Sequence, residues 1–201
     1  AIMTVRVNKP SFNIREKLTE IKHKPVELIS VSTSEIALSG ATSKVIEGIH
    51  ETDHPIYLNL NGTSVGTANN HQFIRFGTER DGIKSTGIYY WQNSYYGHNG
   101  TVSVYSGNPG SEYHFQYGWN NVANVFHTII KIQRIHKADN VYFAHMTSIA
   151  NSTYPTYFAQ SCCRVELDAP LFSIDFFCDT GGGTTFDAGT ISLQYIYERN
   201  L

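Results

Sequence analysis

The pattern of apolar and polar positions separates a short N-terminal segment from a long β-rich remainder. Near the start, apolar residues recur at the i, i+4 and i+7 spacing of one helix stripe, at Ile14, Leu18 and Ile21, and Pro25 ends the pattern. A helix of about a dozen residues with one thin apolar stripe is marginally stable alone in water. We therefore expect it to dock on its own body, on a copy of itself or on a partner.

After Pro25 the pattern changes to short alternating or apolar runs separated by turn residues, which is typical of strands. The predicted strands are Val26–Val31, Glu35–Leu38, Lys44–Ile49, Ile56–Leu60, Phe73–Phe76, Gly87–Trp91, Thr101–Tyr105, Glu112–Tyr117, Phe126–Ile135, Tyr142–Met146, Tyr157–Leu167, Leu171–Phe177 and Thr190–Tyr197. Turn chemistry lies between them at Asn61-Gly62, Ser106–Gly110 and Gly181–Gly183. This spacing predicts an all-β fold, a jelly-roll-like β-sandwich over residues 26–201, behind an N-terminal arm over residues 1–25.

Composition supports this prediction and excludes several classes of function. The 201 residues include 16 Gly and 13 Tyr, and only 16% are charged, against roughly 25% in a usual soluble domain. The net charge of −2 provides no basic surface to attract nucleic acid or an anionic membrane. No apolar run approaches the ~18 residues of a membrane-spanning helix. We therefore expect no nucleic-acid partner and no membrane insertion.

The three cysteines do not form the even-numbered framework of a disulfide-stapled domain. Cys162 and Cys163 are adjacent, and neighbouring residues of a strand point to opposite faces, so they are poorly placed to bridge each other. We predict buried thiols, with one of them near Cys178.

Two short motifs imitate protease signatures. His50–His54 matches H-E-x-x-H, but zinc binding by that motif requires both histidines on one helix face, and the flanking segments here are predicted strands, with Pro55 directly after the motif. Asp179-Thr180-Gly181 matches the D-T-G of aspartic proteases, yet only twenty residues follow it. We predict that both are connections and that the protein is not an enzyme.

The nine histidines are scattered, and we predict no metal site and no cofactor within one chain. A metal site assembled by trimer symmetry stays open.

An aromatic run over residues 89–100 is the most suggestive candidate for binding. Aromatic rings interleaved with Asn, Ser and Gly are typical of surfaces that contact sugars, because flat rings stack at little entropic cost. The candidate receptor or glycan contacts are Tyr89, Trp91, Tyr95, Tyr96 and His98. The alternative is that Tyr89 and Trp91 are core strand residues and that Tyr95 and Tyr96 cover a loop.

The segment Val7–Leu18 (VNKPSFNIREKL) closely resembles the N-K-P-S-F-N-x-R-E-K-L arm that opens tail-fibre and related virion proteins of marine podovirus-like phages. The β-rich body resembles the same group at Ser39–Ser43, at Phe73–Thr78 and in the ending Phe186–Ile196. The chain departs from that group at Gln194-Tyr195-Ile196, and it joins arm and body directly where longer relatives carry extra segments.

The resemblance implies a bacteriophage virion structural protein, located in the virion and assembled in the host cytoplasm. It implies a homotrimer whose arm attaches to other tail or capsid proteins through Phe12, Ile14, Arg15, Leu18 and Ile21. The body then acts as a tail fibre or receptor-binding knob that contacts a host surface glycan. The alternative is a capsid decoration protein, head fibre or tail adaptor with a purely structural role.

Overall fold

A computed structural model describes residues 26–66, 71–84, 89–96, 102–110, 112–116, 125–151, 157–178 and 184–200. Every regular element in these residues is a β-strand, which confirms the predicted all-β class. Within the same ranges, no helix has the length and apolar character needed to cross a membrane. The predicted arm helix, with Ile14, Leu18 and Ile21, lies outside the described residues.

The described residues form β1 (Val26–Ser32), β2 (Ile36–Ala37), β3 (Ser43–Ile46), β4 (Ile56–Val65), β5 (Gln72–Thr78), β6 (Gly82–Ile83), β7 (Tyr89–Tyr96), β8 (Val102–Gly110), β9 (Tyr113–Gln116), β10 (Val125–His136), β11 (Val141–Asn151), β12 (Tyr157–Glu166), β13 (Leu171–Cys178) and β14 (Phe186–Asn200).

These strands make two sheets. The larger has nine strands in the order β1-β14-β4-β10-β11-β12-β7-β8, with β2 paired to β14. The smaller has five, in the order β3-β13-β5-β6, with β9 paired to β5. The ladders between paired strands from β2 to β14 are antiparallel in both sheets. Because non-consecutive strands pair, the order is decided by long-range contacts.

One apolar core joins the two sheets. Ile130 and Ile132 of β10 are fully buried, as are Ile74 and Phe76 of β5 in the smaller sheet. Alternation along β10 puts the intervening Ile129 on the opposite, outward face, where it is 54% exposed. The inward row of one sheet therefore packs on the inward row of the other, and the larger sheet keeps one outward face.

Buried tyrosine hydroxyls tie the sheets together. Tyr113 of β9 donates a hydrogen bond to Oγ of Ser161 in β12 at 2.7 Å. The N–H of Leu171 in β13 donates to the hydroxyl of Tyr142 in β11 at 2.9 Å. A buried phenol needs such a partner, because an unpaired polar group in the core costs about 1–3 kcal/mol. Tyrosine therefore fills core volume and also connects the two sheets.

The prediction of a turn at Asn61-Gly62 is wrong, because both residues lie inside β4. Thr63 pairs with Phe126 while Leu60 pairs with Thr128, so β4 carries an extra residue opposite β10. Gly62 has a φ of 63°, which glycine adopts without strain. The turn residues therefore make a β-bulge. The segment Ser106–Gly110, also predicted as a turn, lies within β8.

The chain divides into two compact units. The larger, Ser30–Tyr197, contains the whole apolar core and the surfaces discussed below. The smaller combines Ala1–Ile29 with Glu198–Leu201, and its described part contains an ion pair between Arg199 and Glu27 at 2.5 Å.

Candidate functional site

The aromatic run singled out from the sequence lies on β7, and strand alternation divides it between two faces. Tyr89 is fully buried, and Trp91 packs against the core. Tyr90 and Tyr96 are each 41% exposed on the outward face, with Gln92 exposed between them. At about 3.4 Å per residue, the outward tyrosines stand about 20 Å apart along the strand.

Tyr89 is therefore a core residue, and its prediction as a glycan contact is corrected. The N–H of Phe76 donates to its hydroxyl at 2.7 Å, and the hydroxyl donates to the carbonyl of Lys84 at 2.9 Å. Burial disfavours the charged phenolate and raises the pKa of Tyr89. Its role is structural, as the alternative interpretation of the run anticipated.

The remaining candidates of the run have different placements. Trp91 is partly buried, so it offers less surface than its exposed neighbour Tyr90. Tyr95 and Tyr96 belong to a strand and not to a loop. The side chain of Tyr95 and all of His98 lie outside the described residues.

The neighbouring strand β12 completes an aromatic surface around the outward tyrosines. Phe158 lies opposite Tyr96, with ring centroids 5.8 Å apart, and Arg164 lies opposite Tyr90, with its guanidinium carbon 5.9 Å from the ring centroid. We call Tyr90, Gln92, Tyr96, Phe158 and Arg164 the aromatic margin. It combines ring faces, an amide and a guanidinium, which are groups that stack on sugar rings and hydrogen-bond their hydroxyls.

Sequence reasoning missed Tyr90, Phe158 and Arg164. The alternation of the run could have indicated Tyr90. It lies between Tyr89 and Trp91, which the alternative interpretation assigned to the core, so its side chain is expected on the opposite face. Phe158 and Arg164 join the margin only through the pairing of β12 with β7, which no local pattern shows.

A second exposed apolar surface on the same outward face adjoins the aromatic margin, since Phe158 and Arg164 of β12 pair with residues of β11. Tyr57 of β4, Ile129 of β10, and Phe143 and Ile149 of β11 are 39%, 54%, 38% and 49% exposed. We call these four residues the central field. Its mixture of aliphatic and aromatic side chains is more typical of protein contact than of sugar contact.

A cleft of about 620 Å³ lies at the loop that follows β3 and is lined by Ile49, His50, Glu51, Glu79, Arg80, Pro170, Leu171 and Phe172. Its charged residues are largely paired. Glu51 contacts the guanidinium of Arg134 at 2.5 Å, and Arg80 contacts Asp168 at 2.9 Å. The pair between Glu51 and Arg134 holds the loop in place.

The H-E-x-x-H segment forms this loop and is not helical, as predicted. The N–H of His50 donates to the hydroxyl of Tyr195 at 3.1 Å, and the His50 ring stacks on Tyr197 at 4.2 Å. Lys137 donates to Asp53 at 2.8 Å, and this hydrogen bond lowers the pKa of Asp53. Among the residues that the structure describes, no three His, Cys, Asp or Glu side chains cluster as a metal site would require.

The cysteines occupy both faces of β12. Cys163 is buried, and burial raises the pKa of its thiol, whereas Cys162 is half-buried on the outward face. Cys178 is also buried and donates to the carbonyl of Thr184 at 3.3 Å. The structure contains them as thiols, and the prediction that all are buried holds for Cys163 and Cys178.

The other sequence candidates lie outside the described residues. They are the arm residues Phe12, Ile14, Arg15, Leu18 and Ile21 and the motif Asp179–Gly181.

Comparison with protein-family models gives no match, and comparison with curated proteins gives none either. The resemblance of the arm to phage tail-fibre proteins therefore remains a prediction.

Proposed function

We propose that this protein is a bacteriophage virion structural protein, a tail fibre or receptor-binding knob that binds a host surface glycan through its aromatic margin. The N-terminal arm over residues 1–25 attaches it to the virion, and the body has a jelly-roll-like sandwich topology. The observation that carries the glycan-binding part is the placement of Tyr90 and Tyr96 on one outward face, each beside a group from β12.

The geometry supports a binding role for physical reasons. Two exposed rings about 20 Å apart match the length of a few linked sugar units, and Gln92 between them provides both donor and acceptor atoms. The rings sit on paired strands, so little entropy is lost when they are covered. These features favour recognition of an extended, repetitive surface polymer.

The test measures binding of the full chain to immobilised lipopolysaccharides and capsular polysaccharides from marine bacteria. We expect the double variant Tyr90→Ala/Tyr96→Ala to bind about tenfold more weakly or worse, since each ring contributes roughly 0.5–1.5 kcal/mol. Tyr90→Phe/Tyr96→Phe retains the rings and should retain most of the binding. Val45→Ala, which alters a 45% exposed side chain on the smaller sheet, is the matched control.

Absence of binding to every polysaccharide, together with failure of the free protein to compete with phage adsorption, would overturn the proposal. An equal loss of polysaccharide binding in the control Val45→Ala would show that the tyrosines have no special role in binding.

The alternative function is a capsid decoration protein, head fibre or tail adaptor. The central field favours it, because exposed Ile129 and Ile149 suit contact with protein. Immunogold labelling of virions distinguishes the two functions: label at the tail supports the receptor-binding role, and label at capsid faces or vertices supports the alternative.

A further inference from the structure

An ion pair on β12 lies beside the outward ring of Tyr90. Arg164 is opposite Tyr90 in the ladder between β12 and β7, and its guanidinium carbon lies 5.9 Å from the centroid of the Tyr90 ring. Glu166, two residues further along β12, is on the same face and pairs with Arg164. The side chains of Arg164 and Glu166 are 47% and 51% exposed, and Tyr90 is 41% exposed. A ring face, a guanidinium and a carboxylate are therefore open to solvent at one place.

Arg164 also lies between two exposed rings. On its other side it is opposite Phe143 of β11, which is 38% exposed. Tyr90 and Phe143 are two strands apart, which corresponds to about 10 Å across the sheet. The two rings therefore flank the charged pair, and a sugar that contacts the pair can place its apolar face against a ring.

The ion pair provides both kinds of partner that sugar hydroxyls require. A hydroxyl group donates and accepts hydrogen bonds, so one of two adjacent hydroxyls can donate to the Glu166 carboxylate while the other accepts from the Arg164 guanidinium. A guanidinium has more N–H donors than one carboxylate oxygen can occupy, and a carboxylate has more acceptor positions than one N–H can fill. Hydrogen bonds to charged groups are roughly twice as strong as those between neutral groups. The pair is therefore a stronger determinant of which sugar binds than the neutral amide of Gln92.

The same pair disfavours sugars with a net charge or with blocked hydroxyls. Because the charges of Arg164 and Glu166 are opposite and adjacent, the pair gives little net attraction to an acidic or a basic sugar. An acyl group or a glycosidic bond on a hydroxyl removes the proton that it would donate to Glu166. The chemistry therefore favours a neutral sugar with two adjacent, unsubstituted hydroxyls.

We infer that Tyr90, Arg164 and Glu166 form the subsite of the protein that selects a neutral sugar unit with two adjacent free hydroxyls. The apolar face of the sugar stacks on Tyr90, and its hydroxyls bond to Arg164 and Glu166. Glu166, which borders the aromatic margin, determines this selectivity because it accepts the hydroxyl proton. The inference rests on the proposed glycan-binding function and names the class of sugar that binds.

The test compares two neutral hexasaccharides of glucose by NMR titration of the full chain. Every internal unit of 1,6-linked isomaltohexaose has adjacent free hydroxyls, whereas the internal units of 1,3-linked laminarihexaose have none. We expect isomaltohexaose to bind about fivefold more tightly or better, because its internal units can form the charge-assisted hydrogen bonds. Glu166→Gln replaces the charged acceptor by a neutral amide and should lower this preference to about twofold or less.

The matched control for that variant is Glu35→Gln. It makes the same substitution at an exposed carboxylate that accepts hydrogen bonds from Asn61 and Thr190, beside β2. β2 pairs with β14, and four strands separate β14 from β7 in the larger sheet. Glu35→Gln should therefore retain the full preference for isomaltohexaose.

A second variant tests the other half of the pair. Arg164→Lys keeps the positive charge but removes the planar guanidinium, which presents several donors in a fixed geometry. This variant should bind isomaltohexaose more weakly and laminarihexaose as the wild type does. Retention of the full preference by the folded variant would contradict the role assigned to Arg164.

Three results would overturn the inference. They are equal binding of the two hexasaccharides by the wild-type chain, absence of isomaltohexaose binding up to 10 mM, and an undiminished preference in Glu166→Gln. Binding of bacterial polysaccharides that depends on Tyr90 and Tyr96 would in each case still support the proposed function. Absence of that polysaccharide binding as well would overturn both.

Discussion

The backbone N–H of Phe76 donates a hydrogen bond to the hydroxyl of Tyr89 at 2.7 Å, and this bond joins the smaller sheet to the larger one. The same hydroxyl donates to the carbonyl of Lys84 at 2.9 Å. One phenol therefore satisfies two backbone groups in the core.

Replacement of Tyr89 by Phe should destabilise the protein without affecting glycan binding. The variant keeps the ring but leaves the N–H of Phe76 and the carbonyl of Lys84 without that partner, at a cost of about 1–3 kcal/mol. Urea unfolding measures the loss. Tyr96→Phe, which alters an exposed ring, is the control and should change the free energy of unfolding by less than about 0.5 kcal/mol.

Gly189→Ala should destabilise the protein more than Gly40→Ala. Both glycines have positive φ, at 109° and 77°, but a Cβ at Gly189 would lie 2.6 Å from Cα of Thr63, whereas a Cβ at Gly40 meets nothing within 4 Å. Gly40→Ala should therefore lose about 1–2 kcal/mol from backbone conformation alone. The difference between the melting temperatures of the two variants measures the steric clash of the added Cβ with Thr63. Equal decreases in melting temperature would contradict this packing.

Arg134→Met should loosen the loop after β3. The side chain of Arg134 is 4% exposed, contacts Glu51 at 2.5 Å, donates to the carbonyl of Lys137 at 3.0 Å and also donates to the side chain of Asn140. Because Glu51 is half exposed, its attraction is screened, and we expect a total loss of about 2 kcal/mol. Limited proteolysis should show faster cleavage near Glu51.

The matched control for that variant is Arg80→Met. Arg80 forms ion pairs with Asp81 and Asp168 at the surface, and its own side chain is 68% exposed. We expect little change in the free energy of unfolding, because exposed ion pairs contribute little to stability. Equal destabilisation by the two variants would show that burial of Arg134 does not matter.

Asp175→Asn should stabilise the protein at pH 7. Burial raises the pKa of Asp175 above 3.8, although Arg75 opposes the shift, and Oδ1 accepts no hydrogen bond from any described residue. Ionisation of Asp175 therefore destabilises the fold. This destabilisation is present in full above the folded-state pKa of Asp175 and is absent below pH 3.8. The gain from Asn should disappear as the pH falls toward 3 in urea titrations.

Asp53→Asn should have the opposite sign. The hydrogen bond from Lys137 lowers the pKa of Asp53, so its carboxylate stabilises the fold above pH 3.8, and that contribution is lost as the pH falls through the folded-state pKa. Asp53→Asn should therefore be slightly less stable than wild type at pH 7. If both variants shifted stability in the same direction, one of the two assigned environments would be wrong.

The sequence predicted the class of the fold because a strand's period of two is a local property. The predicted strand Phe126–Ile135 lies within β10, and its alternating residues Ile130 and Ile132 are both fully buried. The prediction of a turn at Gly62 from the local pattern was wrong, because a glycine with positive φ occurs in β-bulges as well as in turns.

The aromatic run shows where local information ends. Alternation separates Tyr89 from Tyr90 but does not say which of two adjacent tyrosines faces the core, since both are apolar enough to be buried. In the structure Tyr89 faces the core, where its hydroxyl bonds the N–H of Phe76 and the carbonyl of Lys84.

By itself, the sequence determined an all-β chain of low charge, most of its strand positions and the aromatic run as a candidate site. The tertiary structure decided which strands are neighbours, and with them the aromatic margin and the central field. Ile129 meets Asn59 and Thr147, and Tyr96 meets Phe158, only through pairing between residues distant in the chain. Such pairing follows from burial of the whole core, which no local pattern encodes.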